Sequence, residues 1–166
     1  ATLAANEASR MGERVQVLLI GGSGKIGSAV AKNLAAHDNV RVTMTIRAHN
    51  VPFSLPDTVT PVPYAQRMDY ADTADCIISA TSSPHYTVTA KALAAALHTE
   101  KTRLLIDLAV PPDIERAAAS LTGVRLIGID DFDRIAEENR LHKQDMVTQA
   151  EAIIAEEQEV CQKKLI

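Results

Sequence analysis

The chain has 166 residues, a formal net charge of −4 and an apolar fraction of 46%, enough for one domain with an aliphatic core. Three tyrosines, two phenylalanines and no tryptophan leave little for base stacking, and the acidic balance exerts no bulk pull on nucleic acid or anionic lipid, so direct nucleic-acid binding is not expected. No apolar run reaches the roughly 18 residues of a membrane helix and no signal peptide leads the chain; Cys76 and Cys161 stand in no metal spacing, so a cytoplasmic protein with reduced thiols and neither membrane nor metal is expected.

Residues 2–11 read as a short helix that Thr2 caps and Gly12 ends. An apolar strand over 14–20 stops abruptly at glycines, and a helix-periodic stretch over 25–37 follows. Strand, glycine turn and helix are the context a G-x-G-x-x-G match requires, and Gly22, Gly24 and Gly27 fill its glycine positions. In that pattern Gly22 serves the tight turn, Gly24 the approach of a pyrophosphate and Gly27 the packing of helix on sheet. The N–H groups opening the helix then face the phosphates. A second strand over 41–46 ends at Arg47, which completes one β-α-β unit.

Where a second crossover helix belongs, residues 49–63 carry Pro52, Pro56, Pro61 and Pro63, which forbid one. A loop with at most a short strand near 59–62 is expected, then a helical turn over 64–71. A buried strand over 75–80 opens into the polar loop Thr81-Ser82-Ser83-Pro84. A helix over 87–98, a strand over 103–108, a short helix beginning at Pro111 and a last strand over 124–129 follow. From Asp130 the pattern is helical to the end, with acids in its first turn. About 35 residues of helix would run some 50 Å, longer than such a domain needs. The fold class is therefore α/β: a doubly wound, Rossmann-like parallel sheet over 1–129 with a long C-terminal helix over 130–166.

The residue ending the second strand selects the cofactor: an acid there favours NAD, an arginine NADP. That position reads Ile46-Arg47-Ala48, so Arg47 points to NADP(H) through its fork of donors; the competing reading is a solvated strand-end charge. A Gly21-x-x-Gly24-x-x-Gly27 frame also suits short-chain dehydrogenases. Their Tyr-x-x-x-Lys pair is absent, since Tyr86 and Lys91 are one residue too far apart. Cys76 lies inside a buried strand and Cys161 late in the last helix, so neither reads as a nucleophile.

Ile-Gly-Gly-Ser-Gly-Lys-Ile-Gly, Ala-Asp-Cys-Ile-Ile-Ser-Ala-Thr-Ser-Ser-Pro-His, Leu-Ile-Asp-Leu-Ala-Val-Pro-Pro-Asp-Ile-Glu and Gly-Ile-Asp-Asp-Phe occur in that order. Together they resemble the NADPH-binding domain of the glutamyl-tRNA reductase family, from about Thr2 to about Lys164. The resemblance implies NADPH-dependent reduction of glutamyl-tRNA to glutamate-1-semialdehyde for tetrapyrrole synthesis. It implies a separate catalytic domain that binds the tRNA and carries a cysteine nucleophile, and homodimerisation through a spinal helix that Asp130 begins. This chain would supply the held hydride donor only, with no catalytic residue of its own, as an incomplete fragment inactive alone. The family's cofactor-binding residues fall on Gly22, Ser23, Gly24, Lys25, Ile26, Gly27, Arg47, Thr81 and Ser82. Asp107 and Pro111 also match, whereas Pro112 stands where the family has arginine and the proline-rich segment replaces its second crossover helix. Two rivals remain: a shikimate-dehydrogenase-like oxidoreductase, which needs a lysine–aspartate pair and a substrate domain, and a non-catalytic NAD(P)-binding regulatory module.

Overall fold

The computed structural model describes residues 14–47, 55–132 and 134–144. Within them, runs of valine, isoleucine and leucine form six strands: β1 (Val15–Ile20), β2 (Val40–Ile46), β3 (Val59–Pro63), β4 (Cys76–Ser79), β5 (Arg103–Asp107) and β6 (Val124–Ile127). Every pairing is parallel, and the order is β3-β2-β1-β4-β5-β6. This is the doubly wound order, which reverses direction between β1 and β4 and leaves a crevice at their carboxyl ends. β1 is buried on both faces apart from Gln16, as a central parallel strand must be.

Helix α1 (Lys25–Ala35) crosses from β1 to β2 and buries Gly27, Ala31 and Leu34. Burying Leu34 fully contributes about 1.5–3 kcal/mol. On the other face, Leu18, Ile20, Ile77 and Leu105 pack with Leu93 of α2 (Ala90–Ala96) and with Ala71, Ile114 and Ala118 around two 3-10 helices, Tyr64–Tyr70 and Arg116–Ser120. The strand at Val59 and the helical turn at Tyr64 lie where the sequence predicts them. Proline suits β3 because it is an edge strand, where missing N–H donors cost little.

Two predicted helices differ. The one expected over 87–98 begins only at Ala90, because Thr87 and Val88 are committed to an extended bridge. Their N–H groups donate to the Asp113 carbonyl at 2.7 and 3.1 Å, and the Glu115 N–H returns to the Val88 carbonyl at 2.9 Å. The same bridge holds Asp113 to Glu115 extended, so the short helix expected at Pro111 starts instead at Arg116. Glu115 accepts from the Ala90 N–H at 2.7 Å and so caps α2 from another segment.

At the amino-terminal edge of the sheet, buried Arg103 donates through Nη2 to the Asp72 carboxylate and carbonyl, both at 2.7 Å. The N–H groups of Thr99 and His98 also donate to Asp72, and these bonds hold its carboxyl down at about 2.

The contacts divide the chain into two compact units, Ala1–Ile129 and Asp130–Ile166. In the second, α3 is helical at residues 130–132 and 134–144. Its described surface is mostly exposed and laced with ion pairs, Arg134 to Glu138 at 2.9 Å and Arg140 to Glu137 among them. The expected helix over 2–11 and the continuation past 144 lie outside the described residues. Among those described, no helix is long and apolar enough to cross a membrane.

Candidate functional site

At the carboxyl ends of β1, β2 and β4 lies a cleft of about 160 Å³, lined by Gly21, Ser23 and Gly24 of the glycine turn, Thr45 to Arg47, Tyr64 and Ala80 to Ser82. Ser23, Gly24, Arg47, Thr81 and Ser82 of the predicted set meet there. Gly22 and Gly27 lie beneath it, buried, and Lys25 and Ile26 stand exposed on the first turn of α1.

The glycines divide the labour differently from the sequence reading. The left-handed turn falls on Gly21, at φ 85°, and not on Gly22. A side chain at Gly21 would also stand 2.8 Å from the Ala80 carbonyl. Gly22 is needed for packing, since a Cβ there would run into the Met44 side chain. A Cβ on Gly27 would strike the Gly21 carbonyl, which is the close helix–strand packing expected of it. Gly24 is different. Its Cβ would come no nearer than 3.5 Å to any atom, an ordinary contact. Its glycine identity therefore answers no demand of the protein's own packing.

Gly24 is also the N-cap of α1. No side chain caps that helix, and its first turn carries no acid. An uncapped helix start presents N–H donors and a positive dipole end to whatever enters the cleft. The turn is bolted to β2: the Gly21 N–H donates to Thr45 Oγ1 at 3.1 Å, and the Gly22 N–H to the Thr45 carbonyl at 3.3 Å. Arg47, two residues on, is exposed, and its guanidinium lies over the Tyr64 ring, 5.8 Å from the ring centre. Beside it an apolar hollow of about 530 Å³ runs along Pro61, Val62, Pro63 and Ala65, sharing Ile46, Arg47 and Tyr64 with the cleft.

On the β4 side, the two hydroxyls expected to face a ligand diverge. Ser82 is exposed. The Thr81 hydroxyl donates inward to the carboxylate of Asp113, which also accepts from the Thr81 N–H at 2.8 Å and from Ser79 Oγ at 2.7 Å. Asp113 is fully buried, a hub that fixes the loop lining the cleft. Asp107, at the end of neighbouring β5, has a similar role: it accepts from the N–H groups of Ala109 at 3.0 Å and Ile114 at 2.8 Å. Burial pushes the Asp107 carboxyl above its ordinary range; those N–H groups oppose the shift and the charge of Asp113 adds to it.

Thr45, Tyr64 and Asp113 escape the sequence reading as site residues. Thr45 carries a weak signal, a hydroxyl two residues before Arg47 on the same strand. Tyr64 and Asp113 carry none, since their roles arise from segments distant in sequence. Cys76 is buried, and desolvation pushes its thiol up to about 12, so no thiolate forms there near neutral pH. Among the described residues no cluster of acids, histidines and cysteines is arranged to hold a metal.

A family model described as shikimate / quinate 5-dehydrogenase matches residues 2–135. Glutamyl-tRNA reductase of Archaeoglobus fulgidus is 35% identical over 144 residues, a match covering 85% of this chain and 33% of that protein. The solved glutamyl-tRNA reductase of Methanopyrus kandleri superposes with a TM-score of 0.70 at 26% identity, over 99% of this chain and 43% of that one. The nucleotide binding domain of glutamyl-tRNA reductase from Thermoplasma volcanium shares the fold, with a TM-score of 0.59 at 22% identity over 86% of this chain and 94% of that one. The chain spans about a third of the length of the curated relatives it matches. It belongs to the shikimate / quinate 5-dehydrogenase domain family, and within that family its likeness is to the nucleotide-binding domain of glutamyl-tRNA reductase.

Proposed function

We propose that this domain binds NADPH and holds it as the hydride donor of a glutamyl-tRNA reductase. The observation that carries the reading is Gly24, a helix-capping glycine that the fold does not require, lining the same cleft as Arg47. The first-turn N–H groups of α1, with Ser23, Lys25 and Ile26 around them, receive the pyrophosphate. Arg47 pairs with the 2′-phosphate through its fork of donors. The apolar hollow along Pro61 to Ala65 takes the adenine, in place of the crossover helix that the prolines forbid. The Thr81–Ser82 loop, fixed by Asp113, backs the nicotinamide end. When bound, the reduced nicotinamide supplies a hydride to an activated carbonyl.

Glutamyl-tRNA would be taken by a catalytic domain outside these 166 residues, whose cysteine would displace the tRNA to form a thioester; hydride transfer would then break the carbon–sulfur bond, releasing the aldehyde and returning the thiol. Cys76, buried and neutral, cannot replace it. Tetrapyrrole synthesis in the cytoplasm, homodimerisation through the helix from Asp130 and the absence of direct nucleic-acid binding by this domain complete the reading. The shikimate-type alternative is favoured by the description of the family model. Against it, the lysine–aspartate ion pair among the described residues, Lys101 with Asp75 at 2.8 Å, precedes β4 and β5 at the sheet edge away from the cleft.

Calorimetric titration with NADPH and NADH tests the reading. NADPH binds about ten-fold tighter or more, roughly 1.4 kcal/mol, and Arg47→Ala erases the difference. Equal affinities in the unaltered chain would sink the assignment of Arg47.

A further inference from the structure

Tyr64 stands where the cleft and the apolar hollow meet and lines both. Two guanidinium groups lie over its ring, Arg67 at 4.4 Å and Arg47 at 5.8 Å from the centre. They differ in freedom. Arg67 is tied down, donating from Nε to the Thr87 carbonyl at 2.9 Å and from Nη1 to the Tyr64 carbonyl at 3.3 Å. Thr87 is in turn fixed by Asp113, so one of the two cations over the ring is anchored in the body of the domain. Arg47 is exposed, and its guanidinium hydrogen-bonds no described residue. A long side chain at a strand end loses much rotamer freedom when it grips a phosphate. A π-face beneath it restricts that freedom beforehand and leaves the N–H edges of the guanidinium open.

We infer that Tyr64 is a positioning residue that braces Arg47 at the lip of the cleft and so sets discrimination for a phosphorylated ribose. The inference rests on the NADPH reading and sharpens it: the selectivity belongs to an arginine–tyrosine pair brought together by β2 and the 3-10 helix after β3. The hydroxyl of Tyr64 contributes nothing to it. The brace requires an aromatic face and not merely bulk.

The test is titration of the full chain and of Tyr64→Phe, Tyr64→Leu, Arg47→Ala and the Tyr64→Leu/Arg47→Ala double variant with NADPH and with NADH. Leucine keeps an apolar side chain against the core and removes the π-face, so the comparison does not depend on a cavity mutant folding. Tyr64→Phe keeps the parent ratio of the two affinities. Tyr64→Leu lowers that ratio about two- to five-fold, the worth of a cation–π contact at an exposed site; the adenine contact it also alters is common to NADPH and NADH and leaves the ratio alone. In the Arg47→Ala background the leucine substitution leaves the ratio unmoved. A Tyr64→Leu variant that loses both affinities equally, or keeps the parent ratio, overturns the brace while leaving the NADPH reading intact. An unaltered chain that binds neither dinucleotide overturns the NADPH reading, and the brace with it.

Discussion

At the scale of single residues, the glycines separate demands of the fold from demands of the ligand. Gly24→Ala should cost under about 1 kcal/mol, since its Cβ meets nothing closer than an ordinary contact and only the capping preference is lost. It should nevertheless weaken dinucleotide binding. Gly27→Ala should lose about 1–3 kcal/mol, because a Cβ there overlaps the Gly21 carbonyl. Urea melts set beside NADPH titrations distinguish the two; a Gly24→Ala protein as unstable as Gly27→Ala would refute the division. Cys76 gives a second check. With its thiol buried and pushed up to about 12, it should resist a thiol reagent in the folded protein and react once urea unfolds it, measured in a Cys161→Ser background so that one thiol is counted. Rapid labelling without denaturant would contradict the burial. The glycines and Arg47 are legible in the sequence because their signal is local: a spacing, or a position at a strand end. The roles of Thr45, Tyr64 and Asp113 are not, because each is defined by a partner far off in the sequence.

At the scale of elements, the strands read easily from the sequence and the loops around the β4 and β5 ends do not. Apolar runs bounded by turn residues fix six strands, and parallel order follows from the crossovers. The helices expected from Thr87 and Pro111 are shorter in the structure because local propensity competes with long-range pairing, and the bridge between Val88 and Ile114 wins. Asp113 holds that arrangement. Asp113→Ala would leave Ser79 Oγ and the Thr81 N–H and hydroxyl without their acceptor, and should lower stability by about 3 kcal/mol while weakening NADPH binding. An unchanged melt would remove Asp113 as the anchor. At the opposite edge Asp72 ties the loop before β5 to Arg103. Its carboxyl is held at about 2, below the ordinary 3.8, so its contribution is complete above about pH 4 and is lost as pH falls toward 2. Asp107 runs the other way: its raised pKa means a contribution present at acid pH that disappears as pH rises through the folded value. Urea melts between about pH 2 and 5 should therefore show a steeper acid loss in the parent than in Asp72→Asn.

For the whole molecule, ligand and assembly are the measurable quantities. NADPH at about a hundred times its dissociation constant should stabilise the folded chain by about 2.7 kcal/mol, a rise in Tm of roughly 5–10 °C for a protein this size. Absence of any shift would deny the site. The described turns of α3 are charged and exposed, a poor seam by themselves, so the proposed dimerisation falls to the apolar positions from Met146 onward. Sedimentation of the full chain against a chain ending at Ile129 should show a dimer and a monomer, and two monomers would retire the spine. Thr45 fastens the glycine turn to β2 two residues before Arg47. On the NADPH reading, the proposed diphosphate seat and the proposed ribose-reading side chain are thus tied to one strand and keep a set spacing. On that reading, exchanging the residue at 47 should change which dinucleotide is preferred without recutting the phosphate seat, whereas a change at Thr45 should disturb both ends of the ligand at once.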